Sequence, residues 1–491
     1  MRGGVGILAL VWLASGLARA DVDVPTWRDH LTFSANLRTR GEFANWFEPR
    51  EGVAPSGAER YAFFGSRLRL GAQLVFPHVE ASLELQDTRL TGLPSDATLP
   101  PPTGALGPGA LYYLYSHDTT QGETFVKQGF VTLRRSGLSV TLGRFEYRDG
   151  LETIPADATL ATVKRTRVAE RLVGPFDFTH VTRSFDGGRV VYDQPDWNLT
   201  ALGVRPTQGG FEVSANREVS NVTLAGLALS LKRLPFGPPI DARLFYLYYA
   251  DDRSNVVKLS NTLRGSRGGA DLPVADTGSL AIHTIGAHAL TAFDAGPGIV
   301  DLLAWAVAQT GTWGALDHAA WAYAIEGGYQ LPRLPAAPWL RAGIDRSSGD
   351  SDPFDDRHGT FFQILPTART YAQLPFFNLM NLQDVFASLI LRPHALVTLR
   401  TDYHWLRVTE SQDLWYSGGG AQNDDIFGFA GSPAQGRHDL AQLVDLSATI
   451  AVARQLTLAG YYGHAFGGDV VGATFAGRGA DYGFLEMTLR Y

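Results

Sequence analysis

The sequence predicts an all-β chain: one transmembrane antiparallel up-and-down β-barrel of about 18 strands, with short periplasmic turns and long extracellular loops. Three observations predict it. Runs close to the ~9 to 11 residues that a tilted strand needs to cross a bilayer alternate an apolar face with a face of full charges. The connections between runs alternate short and long, a sorting for which a soluble sandwich has no reason. The chain also stops on an amphipathic run whose last residue is the aromatic Tyr491.

Composition agrees. Among 491 residues are 54 glycines, 18 tyrosines, 27 phenylalanines and 10 tryptophans, which suit one large aromatic-rich β structure. The net charge of −7 argues against a nucleic-acid partner, which calls for a basic surface. Cysteine is absent, which excludes disulfides, thiolate metal sites, a cysteine nucleophile and a lipid-anchored cysteine. Arg2, the apolar run Val5 to Leu13 and the small-residue site Ala18-Arg19-Ala20 read as a signal peptide over residues 1–20. Residues 21–491 then form a single exported barrel domain. No later segment carries the ~18 to 20 continuous apolar residues of a spanning helix, so the chain crosses a membrane only as a closed barrel.

The elements follow in order. Leu31, Phe33, Ala35 and Leu37 oppose Asn36, Arg38, Arg40 and Glu42. Phe64, Leu68, Leu70, Leu74 and Phe76 oppose Arg67, Arg69 and Gln73, and after Pro77-His78, Val79, Ala81, Leu83 and Leu85 oppose Glu80, Ser82, Glu84 and Gln86. Further strands are expected near 124–135, 138–147, 183–194, 197–205, 220–233, 241–251, 280–293, 299–311, 319–330, 337–346, 384–392, 395–409, 438–453, 456–466 and 480–491. The clearest pair turns at Pro393-His394 and continues with Val397, Leu399, Tyr403 and Trp405 opposite Thr398, Arg400, Asp402 and His404. Val222 to Leu231 and Leu302 to Thr310 are nearly apolar on both faces, and Gly143 to Arg148 needs a bulge to keep register. Long connections cover 44–60, 91–123, 148–182, 206–219, 252–279, 347–383, 410–437 and 467–479, with 312–318 modest. In the last strand Gly483, Leu485, Met487, Leu489 and Tyr491 face outward, which looks like the C-terminal signal read during assembly of outer-membrane barrels.

The chain resembles the alginate-export family of outer-membrane barrels. The residues that carry the resemblance are Glu84 to Arg89, Leu142 to Glu146, Arg183 to Arg189, Ser348 to Pro353, Gly359 to Thr367, Asn381-Leu382 and the Leu399 to Leu406 strand ending near Trp415-Tyr416. Together they cover the chain from about residue 31 to its end. The resemblance implies a monomeric eighteen-stranded barrel in the bacterial outer membrane and an arginine-rich lumen that passes an anionic uronate polymer. It implies the fold more firmly than the cargo.

Arginine suits such a path because its planar fork meets carboxylates bidentately and stays protonated. By parity the lumen receives Arg38, Arg40, Arg67, Arg69, Arg189, Arg243, Arg341 and Arg400, with Arg144 carried over from the family motif. The opposing inward acids are Glu42, Glu80, Glu84, Asp193, Glu326, Asp345, Asp402, Asp445 and Glu486. The two signs roughly balance, so cross-strand pairs that merely rigidify a watery lumen are an equal reading for any one residue. Asp402 and His404 with Ser411 do not make a hydrolase, because no Gly-x-Ser-x-Gly elbow exists; they read as pore lining, and no catalytic residue is assigned. Asp350, Asp352, Asp355 and Asp356 offer hard oxygen ligands for Ca2+ in one extracellular loop, though not at EF-hand spacing, and a solvated acidic loop is the competing reading. The apolar tail of that loop, Phe361 to Leu365 with Phe376-Phe377, is expected to fold back as a lid or plug. The leading expectation is passive export of an anionic, alginate-like polysaccharide, with outer-membrane lipid, the polymer and periplasmic export-complex proteins as partners. The alternative is a general or small-solute porin of the same fold.

Overall fold

A computed structural model describes residues 30–233, 238–261, 263–264, 272–273, 276–367 and 373–491. The expected signal peptide, parts of the 234–239 turn and the 252–279 loop, and residues 368–372 lie outside the described residues.

Eighteen antiparallel strands, each hydrogen-bonded to the next, close into a barrel. They are β1 (Leu31–Asn45), β2 (Arg60–Val75), β3 (Val79–Thr91), β4 (Thr120–Arg135), β5 (Leu138–Phe145), β6 (Phe185–Asp193), β7 (Trp197–Pro206), β8 (Val222–Leu231) and β9 (Ile240–Asp251). The second half is β10 (Leu280–Ala295), β11 (Gly298–Trp313), β12 (Leu316–Gln330), β13 (Trp339–Ser347), β14 (Leu382–His394), β15 (Val397–Val408), β16 (Asp439–Ala451), β17 (Leu456–Gly467) and β18 (Gly479–Arg490). β18 pairs with β1 from Asn36↔Arg490 to Asn45↔Asp481, so the barrel has no free edge. No helix among the described residues is long and apolar enough to cross a membrane.

The period-two pattern sets the two faces. Leu485 is 76% exposed on the outer surface whereas Arg40, facing its strand from β1, is 3% exposed within. Phe33, Leu142, Leu244, Ile285, Ile325 and Leu340 continue the apolar exterior. The expected exceptions have physical reasons. β8 and β11 are apolar inward as well because Val222, Leu224, Trp305 and Val307 pack in one core with Phe361, Phe362, Ile364 and Leu365 from the loop after β13. The bulge expected at Gly143 to Arg148 is absent: β5 ends at Phe145, and the register shift sits between β3 and β4, where Glu84↔Gln128 is followed by Leu85↔Val126 and leaves Lys127 as the extra residue. The connection expected over 312–318 is a tight turn at Gly314-Ala315, with Gly314 at φ 59°.

Two long loops turn into the barrel instead of standing above it. One is 146–184, which carries a short helix, α1 (Ala158–Val163), capped by the Asp157 carboxylate at 2.9 Å from Leu160 N–H and continued by a π-turn over Lys164–Val168. The other is 348–381, whose Phe361, Phe362, Ile364 and Leu365 are fully buried, as the apolar tail led one to expect. The two are joined inside the barrel: Leu365 N–H donates to Leu172 O and Gly174 N–H to Leu365 O, both at 2.8 Å. Gln309 on β11 brackets Phe362, accepting from its N–H at 2.9 Å and donating to its carbonyl at 2.8 Å.

Candidate functional site

The inner wall is more basic on one side and more acidic on the other, and the 146–184 loop lies between the two. On one side β1 and β2 place Arg38 directly opposite Arg67, with Arg40 and Arg69 on the same face. The loop meets them with its own acceptors. Asp177 Oδ1 is 2.6 Å from Arg67 Nη1. Arg38 donates to Asp177 O at 3.0 Å and Thr179 O at 2.5 Å, and Arg40 to Phe178 O at 2.9 Å. Glu146 takes Arg69 at 3.1 Å and Lys127 at 3.3 Å, and His180 meets Glu42 at 2.7 Å. Arg40 is also clamped by Glu486 at 2.6 Å and stacks 4.7 Å from the Phe484 ring centre.

Across the lumen the wall carries Asp241, Asp301, Glu326 and Asp345 beside Arg243 and Arg341, and the loop supplies cations to this more acidic wall. Arg167 and Arg171 each bridge Glu326 on β12 and Asp345 on β13, at 2.6 to 3.2 Å, and all four side chains are nearly or wholly buried. Arg341 completes the cluster with Asp301 at 2.5 Å and Glu326 at 3.1 Å. Lower on that wall Lys164 pairs with Asp241 at 2.7 Å, and Asp149 and Glu152 hold Arg243 at 2.6 and 2.8 Å. Buried charges of this kind persist only when paired with good geometry. The loop is therefore charge-complementary to the wall residues it meets: Glu146 and Asp177 face the cations of β1 and β2, Asp149 and Glu152 face Arg243, and Lys164, Arg167 and Arg171 face Asp241, Glu326 and Asp345.

The remaining residues read from the sequence are dispersed. Arg144 forms a fork to Asp186 on β6 at 2.6 and 2.7 Å. Arg189 stacks over the Phe145 ring at 5.4 Å. Arg400 pairs with Asp402 of its own strand at 2.7 Å. Asp193 stands at the short-turn rim with Lys232 at 2.7 Å, away from the loop. Asp350, Asp352 and Asp355 each spend a carboxylate oxygen on the N–H two residues ahead, at 3.2, 3.0 and 2.9 Å. The one group of three ligand-bearing side chains among the described residues is Asp402, His404 and Asp445.

Parity reasoning missed Lys164, Arg167, Arg171 and Asp177 because it assigned 148–182 to the outside. The signal was present in Leu172-Val173, Phe176 and Phe178, an apolar density as incompatible with open water as that of Phe361 to Leu365. Between the long loops at the outer mouth, a cavity of about 310 Å3 is lined by Trp46, Tyr115, Phe376, Trp415, Phe429 and Phe475.

The sequence matches the family described as alginate export over residues 29–483. The chain belongs to the alginate-export family. Solved structures share the fold: OccAB2 of Acinetobacter baumannii matches at 10% identity with a TM-score of 0.56, over 94% of this chain and 98% of that one. OpdK of Pseudomonas aeruginosa with vanillate matches at 10% identity and 0.54 over 94% and 98%, and OccK11 (OpdR) of the same species at 12% and 0.52 over 94% and 96%. A search of the curated proteins gives no match. The protein is thus an outer-membrane β-barrel channel of the bacterial outer membrane, embedded in lipid as a single barrel.

Proposed function

We propose that this alginate-export barrel passes an anionic polysaccharide, and that the 146–184 loop closes the path in the conformation described. The observation that carries the reading is Asp177. Its carboxylate lies 2.6 Å from Arg67, with Arg69 at 3.9 Å and its backbone carbonyl on Arg38, which is where a uronate carboxylate would bind. With the loop withdrawn, the acids left in salt-bridge contact with Arg38, Arg40, Arg67, Arg69 and Lys127 among the described residues are Glu42, Glu84 and Glu486. A polyuronate that displaces the loop takes over its ion pairs one by one, and no single contact is deep enough to trap it. The aromatic cavity at the mouth supports the same reading, since apolar faces of sugar rings pack on aromatic side chains. Passage requires no chemistry at any residue.

The second reading, a small-solute porin, is favoured by the acidic wall. A lumen with one basic and one acidic side orients small dipolar solutes and gives a polyanion a handhold on one side only. Planar-bilayer recordings of a variant lacking 150–182 decide between them. Oligouronates should block its current at concentrations where neutral oligosaccharides of equal length do not. Equal block by both would leave the porin reading.

A further inference from the structure

Beside the balanced cluster of Arg167, Arg171 and Arg341 with Glu326, Asp345 and Asp301, the neighbouring strands carry an unbalanced one. Asp384 on β14, Asp402 and His404 on β15 and Asp445 on β16 lie on one inward face, where Asp402↔Asp445 are direct register partners and Asp384 opposes Leu406. All four are 3% exposed or less. Among the described residues Arg400 is the one guanidinium or ammonium in salt-bridge contact with the carboxylates, at 2.7 Å from Asp402, and His404 meets Asp384 at 2.9 Å. With the imidazole neutral, three carboxylates against one guanidinium leave two buried negative charges uncompensated, which a low-dielectric site holds only if something neutralises them.

The histidine indicates what that is. His404 Nδ1 lies 2.9 Å from Asp384 Oδ2, so the ring donates there, and in the neutral imidazole Nε2 keeps a lone pair. That Nε2 is buried and has no hydrogen-bond partner. One ring nitrogen of His404 and one carboxylate oxygen each of Asp402 and Asp445 lie within 4.8 Å of one another. A carboxylate behind a histidine whose other nitrogen is free is the arrangement that orients imidazole toward a metal ion. Asp445 is fixed as well, accepting from Tyr461 OH at 2.5 Å and from Gln373 N–H at 3.1 Å.

We infer that Asp402, His404 and Asp445 bind one divalent first-row transition ion, Zn2+ or Mn2+, on the inner wall, with Asp384 as the residue that positions His404. A single imidazole with two carboxylates suits these ions and not Ca2+ or Mg2+, which take oxygen alone. The ion supplies the two missing positive charges. Because Gln373 N–H holds Asp445, the same site ties the 348–381 loop to the wall.

The test uses the full chain purified in detergent, stripped with chelator and titrated separately with ZnCl2, MnCl2 and CaCl2 by calorimetry, with metal content checked after dialysis. About one Zn2+ or Mn2+ per chain is expected, with Ca2+ taken up at least tenfold more weakly. His404→Gln and Asp445→Asn should abolish the tight site, while Asp384→Asn should weaken it on the order of 10- to 100-fold without changing the stoichiometry. Because a variant could misfold, each is first shown to keep the wild-type mobility shift between unboiled and boiled samples on a gel. X-ray absorption of the Zn2+-loaded wild type should show one nitrogen ligand from imidazole among oxygens, a readout that needs no variant. Absence of stoichiometric binding by the wild type, or a zinc spectrum without an imidazole ligand, would overturn the site.

Discussion

Arg38 and Arg67 face each other across β1 and β2, and Asp177 from the inward loop holds both, one by its carbonyl and one by its carboxylate. Like charges directly opposite on paired strands repel. The strands keep this arrangement because the loop supplies acceptors at that level, so closure of the channel and stability of the basic wall are one interaction.

The first prediction removes the carboxylate alone. Asp177→Asn keeps the shape and the backbone acceptors but loses the charge. The side chain is 35% exposed, so the effect is that of a partly screened pair, about 1 to 2 kcal/mol of loop docking. Open events in planar bilayers should become roughly tenfold more frequent. An unchanged opening frequency would place the latch elsewhere.

The second prediction concerns the opposite end of the same loop. Glu326 accepts from Arg167, Arg171 and Arg341 with no solvent access. Glu326→Gln leaves buried guanidinium groups under-compensated, a loss of about 3 to 5 kcal/mol. The strands keep their ladders, so the cost falls on the loop. Limited proteolysis should cut within 146–184 in this variant and leave the wild type whole.

How far the sequence carried can be argued from these residues. The strands and the inward placement of Arg38, Arg67, Arg243 and Arg341 follow from period-two alternation, because one face meets lipid and tolerates no charge, and loop polarity follows from the alternation of short and long connections. The partners of those arginines do not follow. Asp177, Arg167 and Arg171 sit in a stretch with no periodicity, and whether a loop rises above a barrel or enters it depends on charge complementarity with strands far away in sequence, as in the pairing of Arg171 with Asp345. The apolar tail at Phe361 to Leu365 was legible because burial of that many rings has one solution. Lys127 was not legible as a bulge, since nothing in the run Phe125-Val126-Lys127-Gln128 marks which residue is left without a partner on β3.

The third prediction addresses selectivity. In a water-filled lumen an ion pair at contact is worth about 1 kcal/mol, so no single arginine should dominate. In a variant lacking 150–182, changing Arg38, Arg67 and Arg69 together to glutamate should move the reversal potential under a salt gradient toward cation selectivity, and each single change should move it little. If the triple variant keeps the parent selectivity, the basic wall does not face the conducted ions.

The fourth prediction is that pH acts on the two inward loops with opposite signs. Burial, with Asp413 nearby, pushes the Asp350 carboxyl up to about 7, and burial raises Asp413 to about 6 although Thr360, Tyr416 and two backbone N–H groups donate to it. The folded loop thus retains protons that an unfolded one has lost. Its stabilisation is complete below the ordinary aspartate value of 3.8 and fades as pH rises through about 7. His180 behaves inversely. Burial lowers its pKa to about 4 against the pull of Glu42, so the unfolded loop binds the extra proton, and stability present above 6.5 is lost as pH falls toward 4. Hydrogen exchange at pH 5 and pH 8, corrected for intrinsic amide rates, should show residues 350–360 better protected at pH 5 and residues 176–183 better protected at pH 8. Asp350→Asn, a permanent neutral mimic, should flatten the response of the first segment and leave the second unchanged. A common sign in both segments would mean that the loops open together through a group other than these three.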